Sequence, residues 1–233
     1  MYWIVAIIII GAVSAFLVWA SADVASNVYI NTLCRGRNDE RVVALTFDDG
    51  PDEQMTPRVL DVLNERNIKA TFFLVGEKVE RHPELVQRMV AEGHIVANHT
   101  YSHKSVFPMS KSEVVAEELQ RCNDVIAKHT GKRSKLFRPP FGVTNPIIAK
   151  AVKHKNLTTI GWSIRSLDTV AKHSRESVCH RVVSRLHDGA VILLHDRCEK
   201  ADVLLRILIE EIEKRGYKFV ALNEIFNIEV YEN

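Results

Sequence analysis

The sequence lacks several patterns that would assign a protein to a known class of site. None of its four cysteines forms a Cys-x-x-Cys pair, which argues against a zinc ribbon or a thioredoxin-type site. They are too few for a disulfide framework, and free thiols or one or two bridges are both open. No Gly-x-Gly-x-x-Gly turn indicates a dinucleotide fold. The formal net charge is only +2, so the composition gives no reason to expect a nucleic-acid partner.

Charge is also missing from the first twenty residues, which contain no ionisable side chain except a tyrosine. A run of this length can cross a bilayer as a helix, and Tyr2, Trp3 and Trp19 stand where interfacial aromatics are found. We therefore expect a membrane anchor over residues 1–22, followed by a linker over 23–40. A cleaved signal peptide is the alternative, although no Lys or Arg precedes the apolar run.

The remaining sequence alternates between short β-type apolar runs and stretches with helical periodicity. This alternation predicts a single α/β domain over residues 41–230, with a parallel sheet and right-handed crossovers. About seven strands fit a barrel or near-barrel better than an open dinucleotide-binding sheet. The predicted strands are 42–47, 70–75, 94–98, 135–138, 158–164, 190–194 and 217–222.

Polar residues follow five of these predicted strands. In barrel folds the carboxyl ends of the strands meet on one face, where the chemistry takes place. We therefore expect residues far apart in sequence to converge there. They are Asp48-Asp49, Asn98-His99, Arg138, Arg165 and His195-Asp196.

The pair Asp48-Asp49 is the most informative of these features. Two adjacent carboxylates at the end of a buried strand repel each other and resist desolvation, so a nearby cation is expected. A solvated turn is the alternative. His99 and His103, four residues apart, could bind one ion from a helix or from a tight loop.

Together with Asp49, the two histidines give a set of two imidazoles and one carboxylate. Catalytic zinc sites and non-haem iron sites both have this composition. Since nothing indicates an oxygenase, hydrolysis by water that the metal activates is the simpler interpretation. Asp48 is then free to act as the base, and His195 suits an acid for the leaving group. Arg138 could pair with Asp48 and hold it ionised.

Four motifs in order resemble the polysaccharide deacetylases of carbohydrate esterase family 4. The resemblance covers about residues 40 to 225 and is specific because all four motifs occur together. It implies a distorted (β/α) barrel, a divalent metal that is usually Zn²⁺, and removal of acetyl groups from N-acetylated sugars or acetylated xylan. The motifs are Thr46-Phe47-Asp48-Asp49-Gly50, His99-Thr100-Tyr101-Ser102-His103, Arg138-Pro139-Pro140-Phe141 and Leu193-Leu194-His195-Asp196.

The resemblance also implies a role for individual residues. Asp48 would be the base, Arg138 its partner and His195 the acid. The backbone N–H of Phe141 would help to stabilise the oxyanion, and Leu193 would line the acetyl pocket. The implied metal ligands are Asp49, His99 and His103.

One motif departs from the family pattern. Where many members carry Asp-x-x-Asp-Trp, this chain has Arg165, Asp168 and Thr169 at the three defining positions. An arginine close to His195 would lower the pKa of that imidazole. Either Asp168 takes over the orienting role, or the acid works with less support. Trp162 could replace the lost aromatic wall and, with Asp168, contact the substrate, although a core tryptophan is the alternative.

The sequence thus predicts a membrane-anchored, metal-dependent deacetylase of N-acetylhexosamine units in a polysaccharide such as peptidoglycan or chitin. Arg35, Arg37 and Arg41 favour a cytoplasmic domain by charge bias, but they lie far from the apolar run. The implied substrate is extracytoplasmic, and we expect the domain to be there. The alternatives are an O-acetyl (acetylxylan) esterase and a catalytically silent carbohydrate-binding relative. The sequence gives no oligomeric state.

Overall fold

The computed structural model describes residues 2–36 and 40–232, so Arg37 lies outside the described residues. The strands are β1 (Thr32–Leu33), β2 (Val42–Gly50), β3 (Thr71–Leu74), β4 (Ile95–Asn98), β5 (Leu136–Phe137), β6 (Thr158–Ile160), β7 (Ile164–Arg165), β8 (Ala190–His195) and β9 (Lys218–Phe219). The α-helices are α1 (Tyr2–Ala22), α2 (Met55–Glu65), α3 (Gly76–Arg81), α4 (Pro83–Ala91), α5 (Ser112–Thr130), α6 (Pro146–His154), α7 (Arg175–Val183), α8 (Ala201–Lys214) and α9 (Leu222–Phe226). Two 3₁₀ turns cover Phe107–Met109 and Pro140–Gly142.

The nine strands form one parallel sheet that curls into an incomplete barrel. The strand order is β1-β6-β5-β4-β3-β2-β8-β7, and β9 pairs with the start of β2. Strand β2 lies near the centre, and every one of its residues is buried. A strand covered on both faces needs a continuous apolar run, which is what residues 42–47 supply. The expected α/β barrel is confirmed.

Amphipathic helices cover the outer face of the sheet. In helix α2, for example, Val59, Leu60 and Leu63 are fully buried, while Arg58 and Asp61 face solvent. Helix α8 packs beside α2 and buries Leu204, Leu208 and further apolar residues at helical spacing. The carboxyl ends of the strands are left uncovered by these helices, and the cavity described below lies there.

Two segments differ from the sequence-based expectations. The predicted strand over 158–164 divides into β6 and β7, which pair with different neighbours. At the end of β6 and just beyond it, the backbone oxygens of Ile160 and Gly161 accept hydrogen bonds from the Arg138 side chain. The segment 23–40, expected to be a linker, contributes strand β1, which pairs with β6.

Strand β2 does not stop before the two aspartates but continues through them with a β-bulge. Asp48 pairs with Phe73 and Gly50 with Leu74, so Asp49 is an extra residue without a partner in the register. Its φ of 73° is in the left-handed region. Neighbouring residues of a regular strand face opposite sides of the sheet. The bulge re-aims one side chain, and both carboxylates reach the same side.

Helix α1 is long and apolar enough to cross a membrane, with a mean hydropathy of 2.6 over its best window. Its large side chains are exposed, from Trp3 at 83% to Trp19 at 49%. Among its residues only Ala20, close to the end of the helix, is buried.

Gly189 offers a test of the packing between the start of β8 and the segment after β1. Its φ is +74°, and a Cβ there would overlap the backbone oxygen of Gly36. We expect Gly189→Ala to lower the free energy of unfolding by about 2–4 kcal/mol, through strain and backbone overlap together.

The matched control is Gly131→Ala, which has a φ of +70° but open space around the new methyl group. It should lose only about 1–2 kcal/mol, the cost of the left-handed conformation. Chemical denaturation measures both variants. Equal losses would show that the contact between Gly189 and Gly36 does not constrain the fold.

Candidate active site

A cavity of about 580 Å³ opens at the carboxyl ends of the strands. Most of the residues singled out from the sequence contribute to its lining, as expected for strand ends that converge. Arg138 and Asp168 lie behind the lining and contact residues that belong to it. The predicted residues that line the cavity are Asp48, Asp49, His99, His103, Phe141, Trp162, Leu193 and His195.

Asp49, His99 and His103 form a cluster that could hold a metal ion. One ligand atom from each lies within 4.8 Å of the others. Asp49 Oδ1 is 3.4 Å from His99 Nε2 and 3.2 Å from His103 Nε2. Two imidazoles and one carboxylate suit a divalent transition metal and leave further coordination positions open.

The two histidines come from a tight loop, one of the two arrangements considered for their spacing. The loop leaves β4 after Asn98, and Thr100 and His103 both have positive φ values, of 68° and 49°. The Asn98 side chain accepts a hydrogen bond from the Thr100 N–H at 2.9 Å. Glu118 of α5 accepts hydrogen bonds from the N–H and the hydroxyl of Ser102, each at 2.8 Å. The loop is therefore held by the buried Asn98 and the partly buried Glu118.

Hydrogen bonding and burial prepare both imidazoles to act as ligands. His99 Nδ1 lies 2.8 Å from the backbone oxygen of Arg138, which can only accept, so Nδ1 carries the proton. The Nε2 lone pair therefore faces the cluster. Burial is the largest cause of the lowered pKa of His103, which falls to about 4 and keeps this imidazole neutral.

The carboxylate of Asp49 contacts the two histidines on one side and Arg197 on the other. Its Oδ1 faces the histidines, while its Oδ2 accepts a hydrogen bond from Arg197 Nε at 2.8 Å. Burial alone would raise the pKa of Asp49, but its contacts with His99, His103 and Arg197 lower it far below the usual range. Lys78 Nζ also donates to the Asp49 backbone oxygen, at 2.7 Å.

Asp48 has a different partner. Arg138, which is fully buried, donates from Nη1 to Asp48 Oδ1 at 2.7 Å and to the Thr46 hydroxyl at 2.8 Å. The other oxygen, Oδ2, lies 3.9 Å from His99 Nε2 on the side of the cluster. The guanidinium holds one oxygen of Asp48 and leaves the second available to the cavity.

His195 stands across the cavity and is oriented by Asp168. Its Nδ1 lies 2.8 Å from Asp168 Oδ1, and its backbone N–H donates to Asp168 Oδ2 at 2.7 Å. Burial works against protonation of the imidazole, but the hydrogen bond and charge of Asp168 outweigh it and raise the pKa of His195. The Asp168 carboxylate thus faces His195 and does not line the cavity, where a substrate contact had been expected.

Arg165 lies beside Trp162. Its guanidinium is 5.8 Å from the Trp162 ring centroid, and the largest causes of the shifted His195 pKa are burial and the hydrogen bond and charge of Asp168. Of the two outcomes considered for the altered motif, the geometry matches the one in which Asp168 orients the histidine. Trp162 lines the cavity and is partly exposed.

Gly50, which follows the two aspartates, has a steric role. A Cβ at this position would overlap the carboxylate of Asp196, which is fully buried and accepts a hydrogen bond from the Thr56 hydroxyl at 2.5 Å. Burial raises the pKa of Asp196 to about 7. The glycine therefore lets β2 and the end of β8 approach each other directly below the site.

Sequence reasoning missed Arg197 and Lys78. Arg197 lies two residues beyond His195, so the convergence of strand ends could have indicated it. Lys78 lies in α3, a short helix that the sequence pattern did not indicate, and no signal pointed to it. The two residues contribute, with Arg81 and Arg165, to a set of four cations that line the cavity.

Comparison with known proteins agrees with this geometry. A family model described as polysaccharide deacetylase matches residues 35–160, which is more than half of the 233 residues. The chain belongs to the polysaccharide deacetylase family. The fold and the family expected from the four motifs are therefore confirmed, and the protein is an enzyme of the hydrolase class to which this family belongs.

Individual relatives match over most of their length. A peptidoglycan-N-acetylglucosamine deacetylase of Bacillus cereus is 36% identical over 198 residues, covering 81% of this chain and 89% of the relative. The peptidoglycan-N-acetylmuramic acid deacetylase PdaA of Bacillus subtilis is 32% identical over 193 residues, covering 82% and 73%. The crystal structure of the Bc1960 peptidoglycan N-acetylglucosamine deacetylase superposes with a TM-score of 0.80 at 31% identity, covering 85% and 94%.

The influence of Asp168 on His195 can be measured directly. In chelator-treated protein, Asp168→Asn should lower the pKa of His195 by about one unit or more, because burial then opposes protonation without a compensating charge. NMR titration of the imidazole signals gives the value. Arg165→Gln is the matched control and should leave this pKa almost unchanged. A larger shift in Arg165→Gln than in Asp168→Asn would contradict our assignment of the dominant partner.

Proposed function

We propose that this protein is a metal-dependent deacetylase that removes N-acetyl groups from peptidoglycan-type glycan outside the cytoplasmic membrane. One observation carries the proposal. The cavity brings together a cluster suited to a metal, an arginine-held carboxylate and an aspartate-held histidine, which are the three parts that amide hydrolysis needs. The similarity to peptidoglycan deacetylases supports this choice of substrate class.

Asp49, His99 and His103 would hold the metal, and their donor atoms favour Zn²⁺ among the divalent ions. When bound, such an ion activates water and polarises the acetyl carbonyl. Arg197 holds the second oxygen of Asp49, which leaves Oδ1 to face the ion. Hydrogen bonds of this kind orient ligands and tune their affinity.

Asp48 would take the proton from the attacking water. Its Oδ1 is held by Arg138, so Oδ2 is the oxygen that accepts the proton. The buried pair also fixes the direction of this carboxylate, since Thr46 and two backbone oxygens hold the guanidinium in turn. Because the Asp48 carboxylate does not have to reorient, it can accept the proton of the water without a preceding conformational change.

His195 would then donate a proton to the departing amine. Because Asp168 binds Nδ1, the transferable proton is on Nε2, which lies 4.0 Å from Asp49 Oδ2 and therefore faces the cavity. The raised pKa keeps this imidazole protonated closer to neutral pH. An amine leaves only after protonation, so this proton is essential for amide cleavage.

The acetyl carbonyl oxygen becomes an oxyanion during the reaction, and it needs a hydrogen-bond donor. Phe141 has a φ of 62° and ends the Arg138-Pro139-Pro140-Phe141 motif at the cavity wall. Among the described residues its N–H makes no backbone hydrogen bond, so we assign it this role together with the metal. Leu193 would contact the acetyl methyl group, and Trp162 a sugar ring.

Arg165 in the cavity lining favours an acidic glycan. The lining holds four cations, Lys78, Arg81, Arg165 and Arg197, and three carboxylates, Asp48, Asp49 and Glu77. Arg81 pairs with Glu77 and Arg197 with Asp49, but none of the ion pairs between described residues uses Arg165. Peptidoglycan carries lactyl and peptide carboxylates, whereas chitin is neutral. Opposite charges promote encounter with the acidic polymer and its alignment in the cavity.

The roles of the two adjacent aspartates can be separated by substitution. Asp49→Ala should lose the metal on dialysis, because it removes a ligand. Asp48→Asn should keep the metal and lose about 10²–10⁴-fold in turnover, because only the base is lost. Metal content by mass spectrometry and acetate release are the measurements. Equal metal loss in both variants would mean that the two carboxylates have been assigned wrongly.

Acetate release across a panel of glycans tests the function itself. We expect release from peptidoglycan glycans, less from chitooligosaccharides, and none after chelation. Arg165→Gln should raise KM several-fold for the carboxylated glycans and leave KM for the neutral ones unchanged. Release from acetylxylan alone would indicate an O-acetyl esterase, and glycan binding without any acetate release would indicate a silent relative.

A further inference from the structure

The wall of the active-site cavity continues into the segment that leaves helix α1. Gly142 and Trp162 line the cavity. The Cβ position of Gly142 lies 2.5 Å from the Trp162 ring and 3.5 Å from Val24 Cβ. Val24, two residues beyond the helix, is only 5% exposed. A single layer of wall residues therefore separates the end of the helix from the site.

Hydrogen bonds fix this junction, which we call the joint and define as residues 20–24 with Thr144. The Thr144 N–H donates to the Ser21 oxygen at 3.0 Å, and the Thr144 hydroxyl to the Ala20 oxygen at 3.4 Å. The Ser26 hydroxyl also donates to Ala20, at 2.8 Å. Ala20 and Thr144 are buried. The helix is thus attached to the domain by a packed contact instead of a flexible tether.

The dimensions of α1 place the joint at the depth of lipid headgroups. Its 21 residues measure about 31 Å, close to the hydrocarbon thickness of about 30 Å. Its apolar side chains are largely exposed, for example Ile7 at 69% and Ile10 at 65% of their surface. Exposure of so much apolar surface to water is unfavourable, so lipid is the expected surrounding. Trp19 in the last turn suits the interface. The residues that follow it, including Val24, then lie just outside the hydrocarbon.

We propose that the joint holds the catalytic cavity against the membrane surface, and that the enzyme acts on N-acetylated glycan carried on a lipid. The proposal rests on the proposed function and adds where its substrate is presented. A flexible linker would let the domain sample glycan away from the membrane. A packed joint confines the cavity to the layer in which the sugar part of a lipid-linked glycan lies.

Tryptophan fluorescence can test the placement without any assay of activity. The chain has three tryptophans, and replacing Trp3→Phe and Trp19→Phe leaves Trp162, in the cavity wall, as the single reporter. We would reconstitute the full chain into vesicles that contain lipid with a nitroxide on the headgroup. The fluorescence of Trp162 should be quenched.

An insertion at the joint supplies the comparison. About ten Gly/Ser residues between positions 19 and 20 leave residues 2–19 as the span, within the about 17–25 residues that a span needs, and keep residues 20–24 docked. Quenching of Trp162 should then be lost. The same insertion before Tyr2 is the matched control and should leave quenching intact. Equal quenching with both insertions, or none in the parent, would overturn the placement.

The substrate is tested with one glycan in two forms, attached to a lipid in the same vesicles and free in solution. The insertion at the joint should lower acetate release from the lipid-linked form several-fold and leave release from the free form unchanged, because the cavity is no longer held at that layer. Equal rates before and after insertion would overturn the choice of substrate. If neither form releases acetate, the proposed function is wrong, and quenching still decides the placement.

Discussion

The whole site depends on one irregularity in strand β2, the bulge at Asp49. In a regular strand Asp48 and Asp49 would face opposite sides, and only one carboxylate could reach the cavity. The extra residue, held at a φ of 73°, brings both to the same side. Two carboxylates so close in a buried position repel each other, so each needs its own cation. Arg138 pairs with Asp48, while Arg197 pairs with Asp49, whose other oxygen faces His99 and His103 at the candidate metal site.

The position of Asp48 depends in the same way on the interruption between β6 and β7, where Arg138, its buried partner, finds two of its hydrogen-bond acceptors. A fully buried guanidinium is tolerated only when its donors are satisfied, and Arg138 donates to Asp48, Thr46, Ile160 and Gly161. The last two are backbone oxygens released where β6 ends and the chain turns towards β7. A continuous strand over 158–164 would use those oxygens in its own ladder. The interruption of the sheet is thus part of what positions Asp48, the proposed base.

Much of the site was predictable because the fold class constrains where strand ends meet. Once the alternation of strands and helices indicated a barrel-like sheet, the polar residues after each strand had to converge, and they do. That Asp168 would orient His195 was one of the two outcomes foreseen for the altered motif. The bulge, strand β1 and the division at Gly161 were not predictable, because each depends on pairing between segments distant in sequence. Arg197 was missed because it lies two residues beyond the end of β8, although the convergence of strand ends could have indicated it.

The division of work between Asp48 and Asp49 is the central claim, and a crystal structure of the metal-loaded protein tests it most directly. An anomalous map should place the ion about 2.0–2.2 Å from Asp49 Oδ1, His99 Nε2 and His103 Nε2. Asp48 should remain paired with Arg138 and lie outside the coordination sphere. An ion bound by Asp48, or bridging the two aspartates, would contradict the account.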